Sequence, residues 1–290
     1  MIKAVTHSGD FHTDDIFASA VLRMVYPDIE IIRSRDKDII DNADIVFDVG
    51  QTYNVENKRF DHHQKGGAGE RSNGIPFASF GLVWKEYGLD LCPSPEAFEM
   101  LDNKLVSPID AIDNGIDVCS GKIPFVNPYT IQQMFSLFTP TWNEEKDRDQ
   151  IFAELSDLAL KILKREIEVA TAYDDARDKV RDLYKKAEDK RIMVLDAQYP
   201  LSLFQDFEEL LFVVYQGSGN NDWRAKAMRI TADCFDVKKA FPSEWAGKEG
   251  EELQKVSGVS GATFAHNKRF LVGATTKEDA LQLAKIALNQ

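Results

Sequence analysis

Residues 2–26 read Ile-Lys-Ala-Val-Thr-His-Ser-Gly-Asp-Phe-His-Thr-Asp-Asp-Ile-Phe-Ala-Ser-Ala-Val-Leu-Arg-Met-Val-Tyr. The short apolar run from Ile2 to Thr6 predicts a buried strand. A polar loop, His7 to Thr13, follows it. From Asp14 to Tyr26 the apolar residues Ile16, Ala20, Val21 and Met24 recur at helical spacing. Strand, loop and helix in that order open an α/β fold. The pattern continues outward. Asp28 to Arg33, Ile45 to Gly50 and Arg59 to Asp61 read as strands, and Pro76 to Tyr87 and Pro95 to Ile112 as helices. This alternation predicts a mostly parallel sheet with helices on its faces.

From Glu144 to about Lys190 no glycine or proline interrupts a stripe that includes Ile151, Leu155, Leu158, Ile162, Val169, Tyr173, Ala176, Val180 and Leu183. That is longer than an ordinary globular helix. It is either one long helix or two joined end to end, packing on the protein itself or on a second copy. Ile192 to Asp196, Leu211 to Tyr215 and Trp223 to Ile230 are strand-like, and a closing helix spans Lys277 to Leu288. The expected organisation is a metal-binding catalytic domain over 1–140, a helical connector over 141–190 and a smaller α/β or α+β domain over 191–290.

The chain is 43% hydrophobic and 29% charged, enough apolar material to build a core without disulfide staples. Cys92, Cys119 and Cys234 form no C-x-x-C pair, so idle thiols in a reducing compartment are expected. No signal segment or membrane span is read, which makes the cytoplasm the expected location. Residues 190–290 carry 13 basic and 13 acidic side chains, so the whole excess of −13 lies in residues 1–189. An acidic total argues against loose coating of duplex DNA, but not against a nucleotide or RNA end held beside metals.

Histidine carries the chemistry. Of five in the chain, His7, His12, His62 and His63 lie in the first 63 residues, each close to aspartates where predicted strands end. In open α/β sheets ligands bind at the carboxyl ends of strands. His7, His12 and Asp14 share one such loop. Asp48 closes an apolar strand. In Asp61-His62-His63 the adjacent imidazoles point to opposite sides of an extended chain, so one can bind metal while the other faces substrate. Asp110 and Asp113 lie three apart on a helical turn, and either fits the set. Singly, each of these residues also fits a cap, a turn or a surface pair. Together they offer donors for two cations, with Asp48 as the natural bridge. Imidazole and carboxylate without thiolate suits Mn²⁺ or Fe²⁺ better than Mg²⁺. Two such ions roughly 3.5–4 Å apart are a common device for phosphoester hydrolysis, because bound water becomes a nucleophile at neutral pH.

Other basic groups are candidates for the substrate. Arg71, in the glycine-rich loop after the triplet, is placed to reach a phosphate. Gly258, Gly261 and Gly273 let backbone amides approach an anion, and Lys268 and Arg269 beside His266 add charge. A turn-rich sheet edge with a solvated basic pair is the competing explanation.

The triplet, with the upstream histidine-aspartate loop and the isolated Asp48, resembles the DHH phosphoesterase superfamily, which includes RecJ-type exonucleases and family II inorganic pyrophosphatases. A closer resemblance is to the Myg family, the melanocyte-proliferating-gene-type exonucleases. It rests on runs spread over nearly the whole chain: 6–15, 44–50, 59–64, 79–83, 110–115, 241–247, 257–266 and 270–275. The resemblance implies two domains with the active cleft between them, two metals, and 3′-to-5′ exonuclease action on RNA. The implied metal ligands are His7, His12, Asp14, Asp48, His62 and Asp113, with Asp110 as the alternative. His63 is implied at the scissile phosphate, with Asp48 at the catalytic centre. His266 and its neighbouring glycines, Gly261 among them, are implied to hold substrate. Two departures stand out. Four residues rather than three separate His7 from His12, which replaces an aspartate, and the family's Trp-Arg-Gly is Trp245-Ala246-Gly247 here.

The expected function is therefore a binuclear-metal phosphodiesterase acting on single-stranded RNA or oligonucleotide ends. A hydrolase of small phosphoanhydrides or nucleotides is the nearest rival. A non-catalytic metal-binding scaffold, using the long helix as its working surface, is the rival from another class; a homo-oligomer through that helix is an expected arrangement under either.

Overall fold

The structure is a computed structural model that describes residues 1–119, 123–219, 221–231 and 234–290. Its contacts divide the chain into two units, 1–174 and 175–290. The first contains β1 (Lys3–Thr6), α1 (Thr13–Val25), β2 (Glu30–Arg33), α2 (Lys37–Asp41), β3 (Ile45–Phe47), β4 (Tyr53–Asn54), β5 (Arg59–Phe60), α3 (Ser79–Leu91), α4 (Pro95–Leu101), α5 (Ser107–Asp113) and α6 (Ile131–Ser136). A π-helical turn, Asp102–Val106, joins α4 to α5. The single helix expected over 95–112 is thus three segments. Helix α7 (Arg148–Lys186) is one continuous helix of 39 residues that begins in the first unit and ends in the second.

The first sheet has the order β2-β1-β3-β5-β4. β2, β1, β3 and β5 run parallel, and only β4 is antiparallel. Side chains alternate across it as the period of two requires. Ala4, Ile45 and Phe47 join α1, α3, α5 and the start of α7 in the larger core. Val5 and Val46 face the other way, into a small cluster with Ala43, Val49 and Ile40. Helix α1 was expected to bury one stripe. Every residue from Thr13 to Leu22 is buried, because α3 packs on one side and α7 on another, where the Ser19 and Ser156 hydroxyls hydrogen-bond at 2.7 Å.

The second unit contains β6 (Ile192–Val194), β7 (Phe212–Gln216), β8 (Trp223–Ala227), α8 (Gly250–Ser257), β9 (Ala262–Ala265), β10 (Leu271–Ala274) and α9 (Lys277–Asn289). Its sheet order is β6-β7-β8-β10-β9, with only β6 and β7 parallel. Ala280, Leu283, Ala284 and Ala287 give α9 an apolar stripe at i, i+3, i+4 and i+7. It packs on Phe212, Val214, Ala225 and Val272. The molecule is therefore mixed α/β with two five-stranded sheets. Among the described residues no helix is long and apolar enough to cross a membrane, and the three cysteines are free.

Candidate metal centre

Parallel pairing decides where the histidines go. β1, β3 and β5 lie side by side in the same direction, with Ala4 opposite Ile45 and Val46 opposite Arg59. The residues that follow them therefore emerge at one edge of the sheet. They are His7 after β1, Asp48 after β3 and Asp61-His62-His63 after β5. β3 ends at Phe47, shorter than the run to Gly50 suggests. Asp48 turns away with φ 54°, and Gly50 and Gln51 also have positive φ. A left-handed aspartate costs about 1 kcal/mol and aims its carboxylate off the strand direction. Helix α1 contributes His12 as its N-cap with Asp14 and Asp15 in its first turn, and α5 contributes Asp113 from its last.

These groups meet. His7 Nε2 lies 3.1 Å from Asp48 Oδ2 and 3.2 Å from Asp15 Oδ2. His62 Nε2 lies 3.4 Å from Asp48 Oδ1 and 3.3 Å from Asp113 Oδ2. Among the described residues, three sets have donor atoms close enough to share a cation: His7, His12 and Asp48; Asp48, Asp61, His62 and His63; and His12, Asp14 and Asp113. Asp48 belongs to the first two and His12 to the first and third.

The supporting contacts are equally specific. Ser79, at the start of α3, donates its hydroxyl to Asp48 Oδ1 at 3.2 Å. Asp15 Oδ1 accepts the backbone N–H of His12 at 3.0 Å, which leaves Oδ2 for His7. Asp61 accepts from the His63 backbone at 3.0 Å and from the Gln51 backbone at 2.5 Å, and lies 2.7 Å from His63 Nδ1. An Nδ1–H held this way leaves His63 Nε2 free to face outward on a ring that is 53% exposed.

Burial makes the cluster electrostatically incomplete. Burial lifts the Asp14 carboxyl far above its ordinary value, and the neighbouring carboxylates of Asp48, Asp113, Asp15 and Asp110 add to the effect. Burial likewise raises Asp15, despite His7, and Asp113, with help from Asp48. Burial pulls His7 down, but Asp15 and Asp48 push it up to about 10. His62 is raised in the same way by Asp48. Burial favours a neutral Asp48, yet contacts from His62 and His7 hold its carboxyl well below the ordinary range.

Metal ions fit what these residues lack. Twelve buried side-chain polar atoms among the described residues have no hydrogen bond of good geometry. Six belong to this cluster: His7 Nε2, both oxygens of Asp14, Asp15 Oδ2, Asp48 Oδ2 and His62 Nε2. Buried polar groups are normally satisfied, so such a concentration needs a ligand to explain it. The orphaned atoms are imidazole nitrogens and carboxylate oxygens, the donors that divalent transition metals take.

Two expected site residues lie elsewhere. Asp110 accepts from the Gly81 backbone at 3.0 Å and from Arg71 Nη1 at 2.7 Å, so its oxygens serve the start of α3. A Cβ on Gly81 would fall 1.8 Å from Asp110 Oδ2, so only glycine permits the contact. Of the two aspartates on α5, Asp113 is the one that joins the cluster. Arg71, expected to reach a phosphate, is committed to Asp110 and to both oxygens of Asp102 at 2.8 Å. Its side chain is only 8% exposed.

In the second unit, His266, Lys268 and Arg269 form the turn between β9 and β10. Arg269 donates its backbone N–H to His266 O at 2.8 Å, and His266 Nδ1 accepts the Lys268 N–H at 3.1 Å. Gly261 packs against α9, where a Cβ would meet Asp279 Oδ2 at 2.0 Å and Thr275 Oγ1 at 2.7 Å.

Sequence reasoning missed Asp15, Asp61 and Ser79 as supports, and Arg35, which lines the cavity containing His7, Asp48 and His63. Acids directly beside the ligands (Asp15 after Asp14, Asp61 before His62) were the available signal for the first two. Ser79 opens one of the runs that carry the family resemblance, and nothing local marked Arg35.

Residues 3–288 match the family model MYG1_exonuc, described as "Uncharacterised protein family (UPF0160)". A MYG1 protein of Schizosaccharomyces pombe is 31% identical over all of this chain and 98% of its own length. A MYG1 protein of Dictyostelium discoideum is 30% identical over 98% of this chain and 96% of its own. A human protein named MYG1 exonuclease is 28% identical over 98% of this chain and 85% of its own. With the match running from the first strand to the last helix, the chain belongs to the MYG1 family.

Proposed function

We propose that this chain is a metal-dependent phosphodiesterase of the DHH type that removes nucleotides from the 3′ end of single-stranded RNA or short oligonucleotides. One observation carries the reading: buried atoms of His7, Asp14, Asp48 and His62 that lack a well-formed hydrogen bond converge at the carboxyl edge of a parallel sheet. The nuclease direction is supported by relatives named MYG1 exonuclease.

Two divalent cations, Mn²⁺ before Fe²⁺ or Mg²⁺, would be held by His7, His12, Asp14, Asp48, His62 and Asp113, with Asp48 common to both. Bound there, they supply Lewis acidity and a lowered pKa for water. The chain's own groups do the rest. Asp61 fixes the His63 ring through Nδ1 and turns Nε2 outward, toward the scissile phosphate. Ser79 and Asp15 hold Asp48 and His7 in place. Arg35, beside the same cavity, offsets phosphate charge. In the second unit, Lys268 and Arg269 are proposed as further phosphate contacts. The cytoplasm is the proposed location.

Anomalous scattering from crystals grown with Mn²⁺ tests the centre. The reading expects two sites roughly 3.5–4 Å apart. A single site, or one at a cysteine, overturns it. Comparing turnover of pyrophosphate, dinucleotides and 3′-labelled RNA tests the substrate, and pyrophosphate turned over fastest would favour a small-phosphoanhydride hydrolase instead.

A further inference from the structure

Two cavities of the first unit meet at His12, and they differ in charge. One, of about 450 Å³, is lined by His7, Asp48 and His63 together with Arg35 and Lys37. The other is larger, about 710 Å³, and reaches Asp14 and Asp113 on one wall. No lysine or arginine lines it among the described residues. Its apolar surface comes from Phe11, Ile16, Ile116 and Phe135, and Asn127 and Gln132 add amides. Gln132 Nε2 donates to Pro108 O at 3.3 Å, which leaves its side-chain carbonyl as an acceptor.

The wall is tied to the ligand cluster by a short, rigid connection. Helix α5 ends just after Asp113. Gly115, at φ 75°, donates to Ile112 O at 2.9 Å, and Ile116 donates to Ala111 O at 2.8 Å. This glycine-based helix stop fixes Ile116 relative to Asp113 three residues before it.

We propose that the larger cavity seats a nucleoside: the base and sugar of the nucleotide whose phosphate lies at the ligand cluster. The inference rests on the phosphodiesterase reading and places the part of the substrate that reading leaves open. Its volume falls within the roughly 300–1,000 Å³ of small-molecule sites, which pair apolar walls with a few polar groups. A phosphate chain entering this cavity would meet Asp14, Asp113 and Asp117, with no cation among the described lining residues to offset them. A neutral, flat base meets apolar side chains and amide hydrogen-bonding groups. The phosphates that continue the chain belong on the opposite side, with Arg35 and Lys37.

Calorimetric titration of the full chain loaded with Mn²⁺ tests the proposal, using uridine, adenosine, AMP and inorganic phosphate as probes. At least one nucleoside binds, and AMP binds more tightly than inorganic phosphate. Ile116→Trp fills the cavity and Gln132→Ala removes an acceptor. Each weakens nucleoside and AMP binding by about tenfold, with inorganic phosphate affinity and metal content unchanged. Gln132 is only partly buried, so its variant stands if Ile116→Trp fails to fold. If no nucleoside binds and AMP is no tighter than inorganic phosphate, the inference is overturned, as it is if both variants leave AMP affinity intact. Cavity-dependent nucleoside binding with no phosphodiester hydrolysis would support this inference and sink the parent reading. Hydrolysis without nucleoside binding would do the reverse.

Discussion

Of the histidine-bearing turns that follow β-strands, the one after β5 and the one after β9 are satisfied in opposite ways. After β9 the turn closes on itself. His266 takes a backbone N–H from Lys268, its carbonyl takes one from Arg269, and its ring packs on Phe270 with centroids 4.3 Å apart. After β5, His62 Nε2 is buried without a hydrogen bond and faces two carboxylates. Both regions carry a left-handed residue that is not glycine, Arg269 in one and Asp48 beside the other. Neither histidine nor backbone strain distinguishes a site here. A concentration of buried polar atoms that the chain itself leaves unsatisfied does.

The sharpest way to break this contrast is Asp48→Asn. Asparagine keeps the shape and tolerates the left-handed backbone. It should lower turnover by about a thousandfold, the scale of several kcal/mol of lost charge stabilisation. Bound metal, measured by plasma emission, should fall while circular dichroism stays native. A scaffold protein would show no turnover to lose.

Arg71→Met probes the part of the first unit that is satisfied. It leaves Asp110 and Asp102 without their cation, and urea unfolding should show about 3 kcal/mol of lost stability. Burial pushes Asp110 up to about 7 against the pull of Arg71, so the loss should shrink as pH falls below that value and the carboxyl takes up a proton.

Asp61→Asn should cost ten- to a hundredfold in turnover, as expected for a group that orients another. It should alter the pH–rate profile while bound metal changes little. Loss of metal equal to that of Asp48→Asn would instead make Asp61 a ligand.

The metal-free protein should lose stability as pH rises. Asp110 is raised from 3.8 to about 7 on folding and His7 from 6.5 to about 10, so the native state binds more protons than the unfolded state across both windows. The two contributions are complete below pH 3.8 and 6.5, and vanish as pH passes about 7 and about 10. Stabilisation by Mn²⁺ should grow over the same range, because metal displaces protons from the imidazoles. Thermal melts from pH 5 to 9, with and without Mn²⁺, would show divergence. Parallel curves would contradict it.

The smallest effect belongs to the second unit. Lys268→Ala and Arg269→Ala should each change oligonucleotide KM by less than about threefold at physiological salt, where exposed charges are screened. A tenfold rise would make them principal rather than peripheral phosphate contacts, and no change at all would remove them from the substrate site.

The first unit was the more legible of the two. A strand-end His7, Asp48 or His62 announces itself because parallel strands deliver their carboxyl ends to one edge. Asp113 could not be separated from Asp110, since three residues of helix shift a side chain by only about 4.5 Å along the axis. The choice depends on what lies opposite, which is the start of α3 and Arg71 for one and His62 for the other. Arg71 misled for a related reason: a glycine-rich neighbourhood suggests an exposed guanidinium, and only long-range packing puts Asp102 beside it. In the second unit, β9 and β10 went unread because each is only four residues with a single β-branched side chain, Thr263 in one and Val272 in the other.

The π-helical turn at 102–106 has a bearing on how this chain tolerates change in length. Such a turn carries one residue more than an α-helical turn. A one-residue deletion there can be absorbed by closing the bulge, which leaves α5 in phase with α4. The same deletion at the start of α5 would turn Asp110 and Asp113 by about 100° away from their partners, though neither had been altered. A one-residue gap should therefore be better tolerated within 102–106 than in the regular helix just after it.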